Sequence, residues 1–292
     1  MQLLTPQHFD DYELIDSGNF RKLERFGKYT LIRPEPQAIW NPSMTEKEWE
    51  KHAHAAFILN PKDLEKGSWK LKPGMPEQWT VAYFKNNYRF SLRLGLTSFR
   101  HIGIFPEQAP NWDFIMDAVD KHTSAKPKVL NLFAYTGGAS LAACAAGADV
   151  THVDSVKPVI SWARENMEKS KLDNIRWVVE DALKFARREV KRGNMYSGII
   201  LDPPAYGRGA DGEKWILEEN LNEIIYLCSK LLQPQHSFLI LNMYSIGFSS
   251  LVANNLINSY FNNGDKNQFG ELYLPDNFGK KLPLGTFLRF TR

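Results

Sequence analysis

From residue 111 onward, short runs of apolar residues alternate with longer stretches in which apolar residues recur every three or four positions. Near-continuous apolar runs are typical of parallel strands buried on both faces, and the wider spacing is typical of amphipathic helices. Strand and helix alternate five times, which predicts a doubly wound α/β sheet. The predicted strands cover residues 128–134, 149–153, 175–179, 197–201 and 237–241, and the predicted helices cover residues 139–146, 156–170, 182–192, 216–232 and 249–261. Two further β-like runs follow at residues 270–274 and 285–290.

The first 84 residues show a different pattern. Short alternating runs lie among prolines, tryptophans and turn residues, which predicts short strands. We therefore divide the chain into a small β-rich domain over residues 1–84, a candidate for substrate recognition, and a larger domain over residues 85–292. The small domain contains four tryptophans, Trp40, Trp49, Trp69 and Trp79. Their side chains form either a base-stacking surface or the core of the domain.

Composition excludes several classes of protein. The chain has 292 residues, 43% hydrophobic and 24% charged, so it is neither disordered nor fibrous. Its two cysteines, Cys144 and Cys228, are too few for a disulfide framework or a four-cysteine zinc site, and we expect no metal. No apolar run approaches the roughly 18 residues of a membrane helix. The polar, acidic N-terminus argues against a secretory signal, so we expect a soluble, cytoplasmic protein.

The distribution of charge is more informative than the formal net charge of +3. No acidic residue lies between positions 78 and 107, a segment that contains Arg89 and Arg93. A second basic cluster at residues 184–192 contains one acidic residue, Glu189. These segments are either solvated faces of ordinary elements or a footprint for the phosphate backbone of RNA. In the second case Arg89 and Arg93 contact the substrate.

Ligands of open parallel sheets bind beyond the carboxyl ends of the strands, so the residues that follow each predicted strand are candidates. Asp154 ends the second strand, where a carboxylate can accept hydrogen bonds from both hydroxyls of a ribose or can cap the next helix. Asp181 follows the third strand and can accept a hydrogen bond from an adenine amine, or can likewise act as a helix cap. Gly137 and Gly138 lack the spacing that suits a pyrophosphate, which favours a nucleoside ligand over a nicotinamide dinucleotide.

The fourth predicted strand is followed by Asp202, Pro203 and Pro204. Two prolines fix φ and remove two donors, which leaves a rigid row of carbonyl oxygens beside one carboxylate. Such a row can hold the amino group or the ring edge of a planar substrate. Tyr206 offers a face on which a base can stack, at ~1–3 kcal/mol per base. Arg208 is either a phosphate contact or an ordinary surface arginine, and the polar residues 208–215 predict a mobile loop over the acceptor site.

Residues 128–245 resemble class I S-adenosylmethionine-dependent methyltransferases. The motifs that carry the resemblance are NLFAYTGGAS (131–140), HVDSVKPVISWARENM (152–167), EDALKF (180–185) and LDPPAYGRG (201–209), with HIGIFPEQ (101–108) upstream. The chain is most similar to the RlmI-like group, whose characterised members methylate large-subunit ribosomal RNA, and within it to a subgroup without an N-terminal PUA domain. The resemblance implies a Rossmann-like, seven-stranded methyltransferase sheet in the order 3-2-1-4-5-7-6. It also implies S-adenosyl-L-methionine as cofactor and RNA, above all ribosomal RNA, as substrate.

The resemblance further implies a role for each motif residue. Its cofactor-covering residues are Phe105 and Gln108, and its methionine-lining residues are Phe133, Tyr135, Thr136 and Gly137. The ribose contacts are Asp154 and Ser155, and the adenine contacts are Asp181 and Ala182. The expected catalytic residues, which face the methyl group and its acceptor, are Asp202, Pro203, Pro204 and Tyr206. The expected substrate-binding residues are Arg208, Tyr244, Arg89 and Arg93.

The positions of the cysteines indicate which atom of a base can accept the methyl group. Methylation of cytosine at C5 needs a thiolate close to the base, but no cysteine follows the fourth or fifth predicted strand. Cys144 and Cys228 lie in apolar helices and are typical of core residues. Transfer to nitrogen needs only in-line geometry and a proton acceptor, so a nucleobase nitrogen is favoured. The alternatives are a methyltransferase for a small planar molecule or a protein side chain, and a non-catalytic RNA-binding protein that has kept the fold.

Overall fold

The computed structural model describes residues 1–124, 126–209, 212–244, 248–261 and 267–292. It divides into two compact units. The smaller unit comprises Thr5–Ala109 and Tyr273–Leu284, and the larger unit comprises Met1–Leu4, Pro110–Leu272 and Gly285–Arg292. Among the described residues, no helix combines the length and the apolar character that crossing a bilayer requires.

The smaller unit is rich in β-structure, as its sequence pattern predicts. The elements up to residue 108 are β1 (Gln2–Leu4), β2 (Tyr12–Gly18), β3 (Arg21–Phe26), β4 (Tyr29–Pro34), α1 (Glu46–His52), β5 (Ala55–Asn60), β6 (Asp63–Leu71), β7 (Gln78–Lys85), β8 (Tyr88–Gly95) and a 3-10 turn (Pro106–Gln108). Strand β1 belongs to the larger unit. In the part of the chain that is described, the others form a five-stranded sheet in the order β2-β3-β4-β5-β6 and the separate hairpin β7-β8.

The tryptophans of the smaller unit are fixed by hydrogen bonds within that unit. Their indole N–H groups donate as follows: Trp40 to Ser17 O (3.0 Å), Trp49 to Asp16 Oδ2 (2.9 Å), Trp69 to Thr97 O (2.9 Å) and Trp79 to Phe26 O (3.1 Å). Trp49 is only 2% exposed, and the other three are half-buried. A buried indole usually needs such a partner. These contacts favour the interpretation of the four side chains as core residues over that of a stacking surface.

The boundary predicted at residues 84 and 85 lies inside the β7-β8 hairpin. The two strands pair along their whole length, from Gln78 with Gly95 to Lys85 with Tyr88. A hairpin of two paired strands cannot be shared between separately folding parts without breaking its ladder. The compact units accordingly divide after Leu4 and Ala109, and a role of the smaller unit in substrate recognition stays a prediction.

The larger unit alternates strand and helix, as the apolar pattern predicts. The elements from residue 109 onward are α2 (Ala109–Asp120), β9 (Lys128–Leu132), α3 (Gly138–Ala145), β10 (Asp149–Asp154), α4 (Lys157–Lys169), β11 (Ile175–Val179), α5 (Ala182–Lys191), β12 (Gly198–Leu201), β13 (Tyr206–Arg208), β14 (Lys214–Ile216), α6 (Leu217–Leu231), β15 (Phe238–Met243), α7 (Ser250–Asn258), β16 (Gln268–Pro275) and β17 (Lys281–Thr291). The end of β16 and the start of β17 belong to the smaller unit. Helix α6 shows the expected spacing, since it buries Leu217, Leu221, Ile224 and Cys228 along one stripe.

The main sheet confirms the predicted strand order and extends it. Within the described residues it has eight strands in the order β1-β16-β17-β15-β12-β9-β10-β11. From β11 to β16 this is the order 3-2-1-4-5-7-6, with β17 antiparallel to β15. The eighth strand, β1, pairs in parallel with β16 through Gln2 and Gly270. The sequence pattern did not predict β1, because three residues are too few to show an alternation and the partner is distant in sequence.

The central strands of this sheet are buried throughout. Every residue of β12 and β15 is buried, which matches strands covered by helices. Gly198 opens β12 beneath the ring of Phe238, which opens β15. A Cβ atom at Gly198 would lie 2.3 Å from Phe238 Cζ. Glycine is therefore the residue that lets the strand preceding Asp202 pack beside its neighbour.

We predict that Gly198→Ala lowers the free energy of unfolding by ~1–3 kcal/mol, because the added methyl group overpacks the Phe238 ring. Phe238→Leu shortens that ring and removes the clash. The double variant should therefore be more stable than the sum of the two single effects predicts. Urea unfolding of the four proteins measures this coupling. Additive effects of the two substitutions would show that the ring does not confine Gly198.

Candidate active site

The carboxyl ends of four parallel strands meet at one edge of the main sheet. Strands β9, β10, β11 and β12 are neighbours, and their last residues lie in register. Leu132 pairs with both Val153 and Leu201, and Asp154 pairs with Val179. The segments that begin with Phe133, Asp154, Glu180 and Asp202 therefore leave the sheet at the same edge, where open α/β sheets bind their ligands.

The turn between β9 and α3 has an unusual backbone. Phe133 and Tyr135 have φ values of 57° and 49°, and Gly137 has a φ of 92°. Left-handed backbone is open to glycine but costs ~1–3 kcal/mol at a residue with a side chain, and it persists only when surrounding contacts hold it. Two aromatic residues in this conformation therefore require specific anchoring.

Asp154 supplies part of that anchoring. Its Oδ2 accepts a hydrogen bond from the backbone N–H of Tyr135 at 2.9 Å, and its Oδ1 accepts one from the N–H of Val156 at 2.9 Å. The N-cap of α4 is Val156, so the interpretation of Asp154 as a helix cap is wrong. Burial raises the pKa of Asp154, and the backbone N–H donors of Val156 and Tyr135 oppose that rise. Since a carboxylate offers about four acceptor positions and the backbone of Ser155 also bonds to Asp154, one position is left for a ligand.

A buried polar chain lies beneath the same turn. Asn131 Nδ2 donates to Ser140 Oγ at 2.9 Å, and Ser140 Oγ lies 3.0 Å from His152 Nδ1. A hydroxyl can both donate and accept, so Ser140 links the Asn131 amide to the His152 imidazole. Burial lowers the pKa of His152 to about 3, and an interaction with the Tyr135 backbone acts in the opposite direction. A neutral histidine thus joins β9, α3 and β10 below the turn.

The sequence prediction missed this polar chain, although the sequence carries a signal for it. Asn131 and His152 are polar residues inside otherwise apolar strands, and both are buried. A third buried side chain, Asn166, donates from Nδ2 to the carbonyl oxygen of Thr136 at 2.9 Å. These residues hold the β9–α3 turn from the side of the core.

Gly137 occupies the tightest point of this turn. A Cβ atom there would lie 3.2 Å from the Cβ of Ala163, and its φ of 92° disfavours any other residue. Gly137 is also the N-cap of α3, and its carbonyl oxygen accepts from Leu141 N at 2.8 Å. The predicted residues Phe133, Tyr135, Thr136 and Gly137 therefore form one continuous turn that faces the carboxyl edge.

Asp181 acts as a helix cap, the alternative left open by the sequence. It is the N-cap of α5, and its Oδ1 accepts from Lys184 N at 2.9 Å. A contact with adenine stays a prediction for Asp181 and for the buried Ala182. Apolar surface is present beside them, since Val156 and Val179 expose 44% and 46% of their surface. Val179 pairs with Asp154, so this apolar surface adjoins the carboxylate and its neighbour Ser155.

The segment after β12 forms more hydrogen bonds within the chain than the sequence analysis predicts. Trp215 Nε1 donates to the carbonyl oxygen of Pro204 at 2.7 Å, and Leu217 N donates to that of Ala205 at 3.0 Å. Two carbonyls of the predicted acceptor row are thus already bound within the chain. The predicted row also includes Asp202 and Pro203. Trp215 also packs on Phe133, with ring centroids 4.6 Å apart, and so joins this segment to the β9–α3 turn.

The predicted loop over residues 208–215 begins and ends in paired strands. Strands β13 and β14 pair antiparallel, with Arg208 opposite Lys214. Positions 210 and 211 of the predicted loop lie outside the described residues. The signal that the prediction missed is Trp215, a large apolar residue in a polar stretch, which is 2% exposed.

The other predicted site residues are placed as follows. Tyr244 directly follows β15 and is half-buried. In the smaller unit, Gln108 is buried in the 3-10 turn and Phe105 is its N-cap. Arg89 is exposed and stacks on Phe84, its guanidinium carbon 4.7 Å from the ring centroid, whereas Arg93 is half-buried. The roles of these residues in binding cofactor or substrate stay predictions.

The second basic cluster is largely neutralised by ion pairs. Arg187 binds both oxygens of Glu223 at 2.7 and 2.8 Å, and Arg188 binds Glu180 at 2.7 Å. The remaining pairs are Lys184 with Glu213 (3.5 Å) and Arg192 with Glu189 (3.1 Å). Residues 184–192 are therefore an ion-paired helix face, which favours the interpretation of an ordinary solvated surface over a phosphate footprint.

Neither cysteine is suited to nucleophilic catalysis. Burial raises the pKa of Cys144 to about 11, and its Sγ donates to the carbonyl oxygen of Asp173 at 2.6 Å. Cys228 is fully buried in α6, and this burial raises its pKa as well. Because the thiolate is the reactive form, both side chains are inert core residues.

Comparison with known proteins adds a family and a structural relative. The family described as S-adenosylmethionine-dependent methyltransferase matches residues 56–259, well over half of the chain. The crystal structure of the SAM-dependent methyltransferase from Agrobacterium tumefaciens is similar to this chain with a TM-score of 0.92 and 37% sequence identity. That similarity covers 100% of this chain and 93% of the other.

Curated relatives match over shorter regions. Ribosomal RNA large subunit methyltransferase I of Aeromonas salmonicida (strain A449) is 37% identical over 107 residues, and ribosomal RNA large subunit methyltransferase K/L of Pseudoalteromonas atlantica (strain T6c / ATCC BAA-1087) is 27% identical over 182 residues. These matches cover 36% and 61% of this chain but only 26% and 24% of the relatives. The chain thus spans about a quarter of the length of these relatives.

The buried histidine makes a prediction about acid stability. The pKa of His152 is about 3 in the folded protein and about 6.5 in the unfolded chain. Between these pH values only the unfolded chain binds the proton, so the fold loses stability as the pH falls below 6.5. We expect the stability advantage of the wild type over His152→Asn to shrink in that range, by up to ~1.4 kcal/mol per pH unit. Urea unfolding from pH 7 to pH 4 measures it.

The matched control for this measurement is His236→Asn, which removes an exposed imidazole from the same unit. An advantage of wild type over His152→Asn that does not change with pH would show that His152 takes up a proton as readily in the folded protein as in the unfolded one. It would contradict the proposed neutral link below the turn.

Proposed function

The chain belongs to the S-adenosylmethionine-dependent methyltransferases, and we propose that it transfers the methyl group of that cofactor to a nucleobase nitrogen in RNA. The proposed RNA is ribosomal RNA. The observation that carries this proposal is the position of Asp202 and Pro203 at the sheet edge where Asp154 and the β9–α3 turn lie. A planar acceptor and a nucleoside-containing cofactor can meet there.

The residues at this edge fit the cofactor chemically. S-adenosylmethionine carries a ribose and an adenine but no phosphate, and the β9–α3 turn offers no pyrophosphate-binding glycine pattern. Asp154 keeps an acceptor position for a ribose hydroxyl, with Ser155 beside it. The exposed parts of Val156 and Val179 suit the adenine ring. Gly137 lets the turn pack closely against Ala163 of α4, which helps to fix the backbone that would contact the cofactor.

The remaining residues of the turn would hold the amino-acid part of the cofactor. Phe133, Tyr135 and Thr136 form the backbone of the strained turn, whose shape is fixed from below by Asn166 and from the side by Asp154. Because this backbone is already ordered, it loses little further conformational entropy when a ligand binds. When bound, the cofactor supplies a methyl group on a positively charged sulfur, which an amine or ring nitrogen can attack.

Asp202 and its neighbours would position the acceptor. The carboxylate and the carbonyl of Pro203 can accept hydrogen bonds from an amino group, which orients the nitrogen lone pair along the line of transfer. Transfer to a nitrogen would leave one proton to be removed from it, and Asp202, the acidic side chain that follows β12, would accept that proton. Tyr206, 51% exposed, offers its ring face to the base.

The cysteines support nitrogen over cytosine C5 as the acceptor atom. Attack on C5 requires a covalent bond from a thiolate to the base, and the pKa values of both Cys144 and Cys228 are raised by burial. Cys144 lies in α3 and Cys228 in α6, and neither follows a strand at the carboxyl edge. Methylation at nitrogen needs no such adduct.

Ribosomal RNA is proposed as the substrate because the two curated relatives are ribosomal RNA large subunit methyltransferases. A small planar molecule is the second candidate. The observation that favours it is the ion pairing along α5, which removes one of the two basic segments expected to contact phosphates.

The proposal is tested by transfer of labelled methyl groups. Purified protein and labelled S-adenosylmethionine are incubated with large-subunit ribosomal RNA from cells that lack this protein, with transfer RNA and with a panel of small planar amines. Incorporation into ribosomal RNA, mapped to a base nitrogen by mass spectrometry of the nucleosides, is the expected result. Incorporation only into a small amine would transfer the proposal to the second candidate, and a C5-methylated cytosine would contradict the nitrogen assignment.

We predict that two substitutions separate cofactor binding from methyl transfer. Asp154→Ala should weaken S-adenosylmethionine binding about 10- to 150-fold, the equivalent of ~1.5–3 kcal/mol for hydrogen bonds to a charged group. Asp202→Asn should leave that binding nearly unchanged and lower turnover ~100-fold or more, because it removes the proton acceptor. Calorimetric titration and initial rates measure the two effects. If cofactor binding in Asp202→Asn fell as much as turnover, Asp202 would be a cofactor residue.

A further inference from the structure

The β13–β14 hairpin has two chemically different faces. Its cross-strand pairs are Tyr206 with Ile216, Gly207 with Trp215, and Arg208 with Lys214. Successive side chains of a strand point to opposite faces, so the middle pair lies on one face and the two outer pairs lie on the other. We call these the inner and the outer face of the hairpin.

The inner face is anchored to the segment that follows Asp202. Trp215 is 2% exposed, donates to Pro204 O at 2.7 Å and packs on the Phe133 ring. Leu217, the first residue after β14, donates from its backbone to Ala205 O. These contacts hold the hairpin at a fixed position beside Asp202, so its outer face also has a fixed position relative to the acceptor.

The outer face combines an aromatic ring with two cations. Tyr206 is 51% exposed, and its Oη accepts a hydrogen bond from Arg208 Nε at 3.0 Å. That bond orients the guanidinium without using its terminal nitrogens. Lys214 is exposed and lies directly across the ladder from Arg208. In the part of the chain that the structure describes, neither cation has an acidic partner, whereas the adjacent Glu213 pairs with Lys184.

This arrangement contrasts with the cations of α5. There, Arg187, Arg188 and Arg192 all bind carboxylates, so little net positive charge is offered to a ligand. On the outer face, two positive charges stand beside an aromatic ring that can stack a base. Cations that track a phosphate backbone next to aromatic side chains are the usual features of a site for single-stranded nucleic acid.

We propose that the outer face of the β13–β14 hairpin binds the phosphate backbone of a single-stranded RNA segment next to the nucleotide that is methylated, with Arg208 and Lys214 as the phosphate contacts. This inference rests on the proposed function. It follows that the target base reaches Asp202 from an unpaired region. A base inside a duplex is stacked, and a double-stranded RNA is recognised through its shape and its sugar–phosphate surface instead.

The test is the salt dependence of RNA binding. A short fluorescein-labelled single-stranded RNA is titrated with wild type, with Arg208→Gln/Lys214→Gln and with the matched control Arg187→Gln/Lys191→Gln at several KCl concentrations. Each phosphate contact contributes ~0.7 to the slope of log Kd against log salt. The hairpin variant should therefore bind more weakly and show a slope smaller by about 1.4. The α5 control should retain the wild-type slope.

Measurements of cofactor binding and methyl transfer distinguish failure of the hairpin proposal from failure of the proposed function. All variants should bind S-adenosylmethionine as the wild type does, which shows that they are folded. If the hairpin variant keeps the wild-type slope while the wild type methylates RNA, the proposed function stands and the hairpin site is wrong. If the wild type binds no RNA but methylates a small amine, both are wrong. Equal losses of binding to a duplex of the same sequence would contradict the single-strand specificity.

Discussion

The carboxylate of Asp154 joins the two turns on which the carboxyl edge of the sheet depends. One oxygen accepts from Tyr135, in a turn with two aromatic residues in left-handed backbone, and the other accepts from Val156, at the start of α4. Each left-handed residue costs ~1–3 kcal/mol, and hydrogen bonds to a charged group contribute ~1.5–3 kcal/mol each, so the two effects are of the same size. Burial raises the pKa of Asp154, and the backbone hydrogen bonds that hold the turn oppose that rise.

The same turn is held by two further sets of contacts. Below it, the chain from Asn131 through Ser140 to His152 joins two strands and a helix with side-chain hydrogen bonds. Beside it, Phe133 packs on Trp215, which binds the carbonyl of Pro204. The turn that would hold the cofactor and the segment that would hold the acceptor are thus parts of one rigid assembly. In-line transfer requires such a fixed separation between the two ligands.

Much of this architecture could be predicted from the sequence. Continuous apolar runs marked the parallel strands, and the aspartates at or just after their ends, Asp154, Asp181 and Asp202, marked the carboxyl edge of the sheet. Contacts between distant residues could not be predicted. Asp154 reaches back to Tyr135 as well as forward to Val156, and the cations of α5 meet Glu180 and Glu223 only after folding. Strand β1 is too short to show a pattern, and Trp215 is hidden in a polar stretch.

Binding of a nucleoside ligand without a diphosphate at the carboxyl edge of the sheet underlies both proposals. Calorimetric titration of the whole protein with S-adenosylmethionine and, separately, with NAD tests it directly. Saturable binding of S-adenosylmethionine at one site per chain, with no heat from NAD, is the result that the geometry of Asp154 and the β9–α3 turn predicts. Binding of NAD, or of neither ligand, would contradict it.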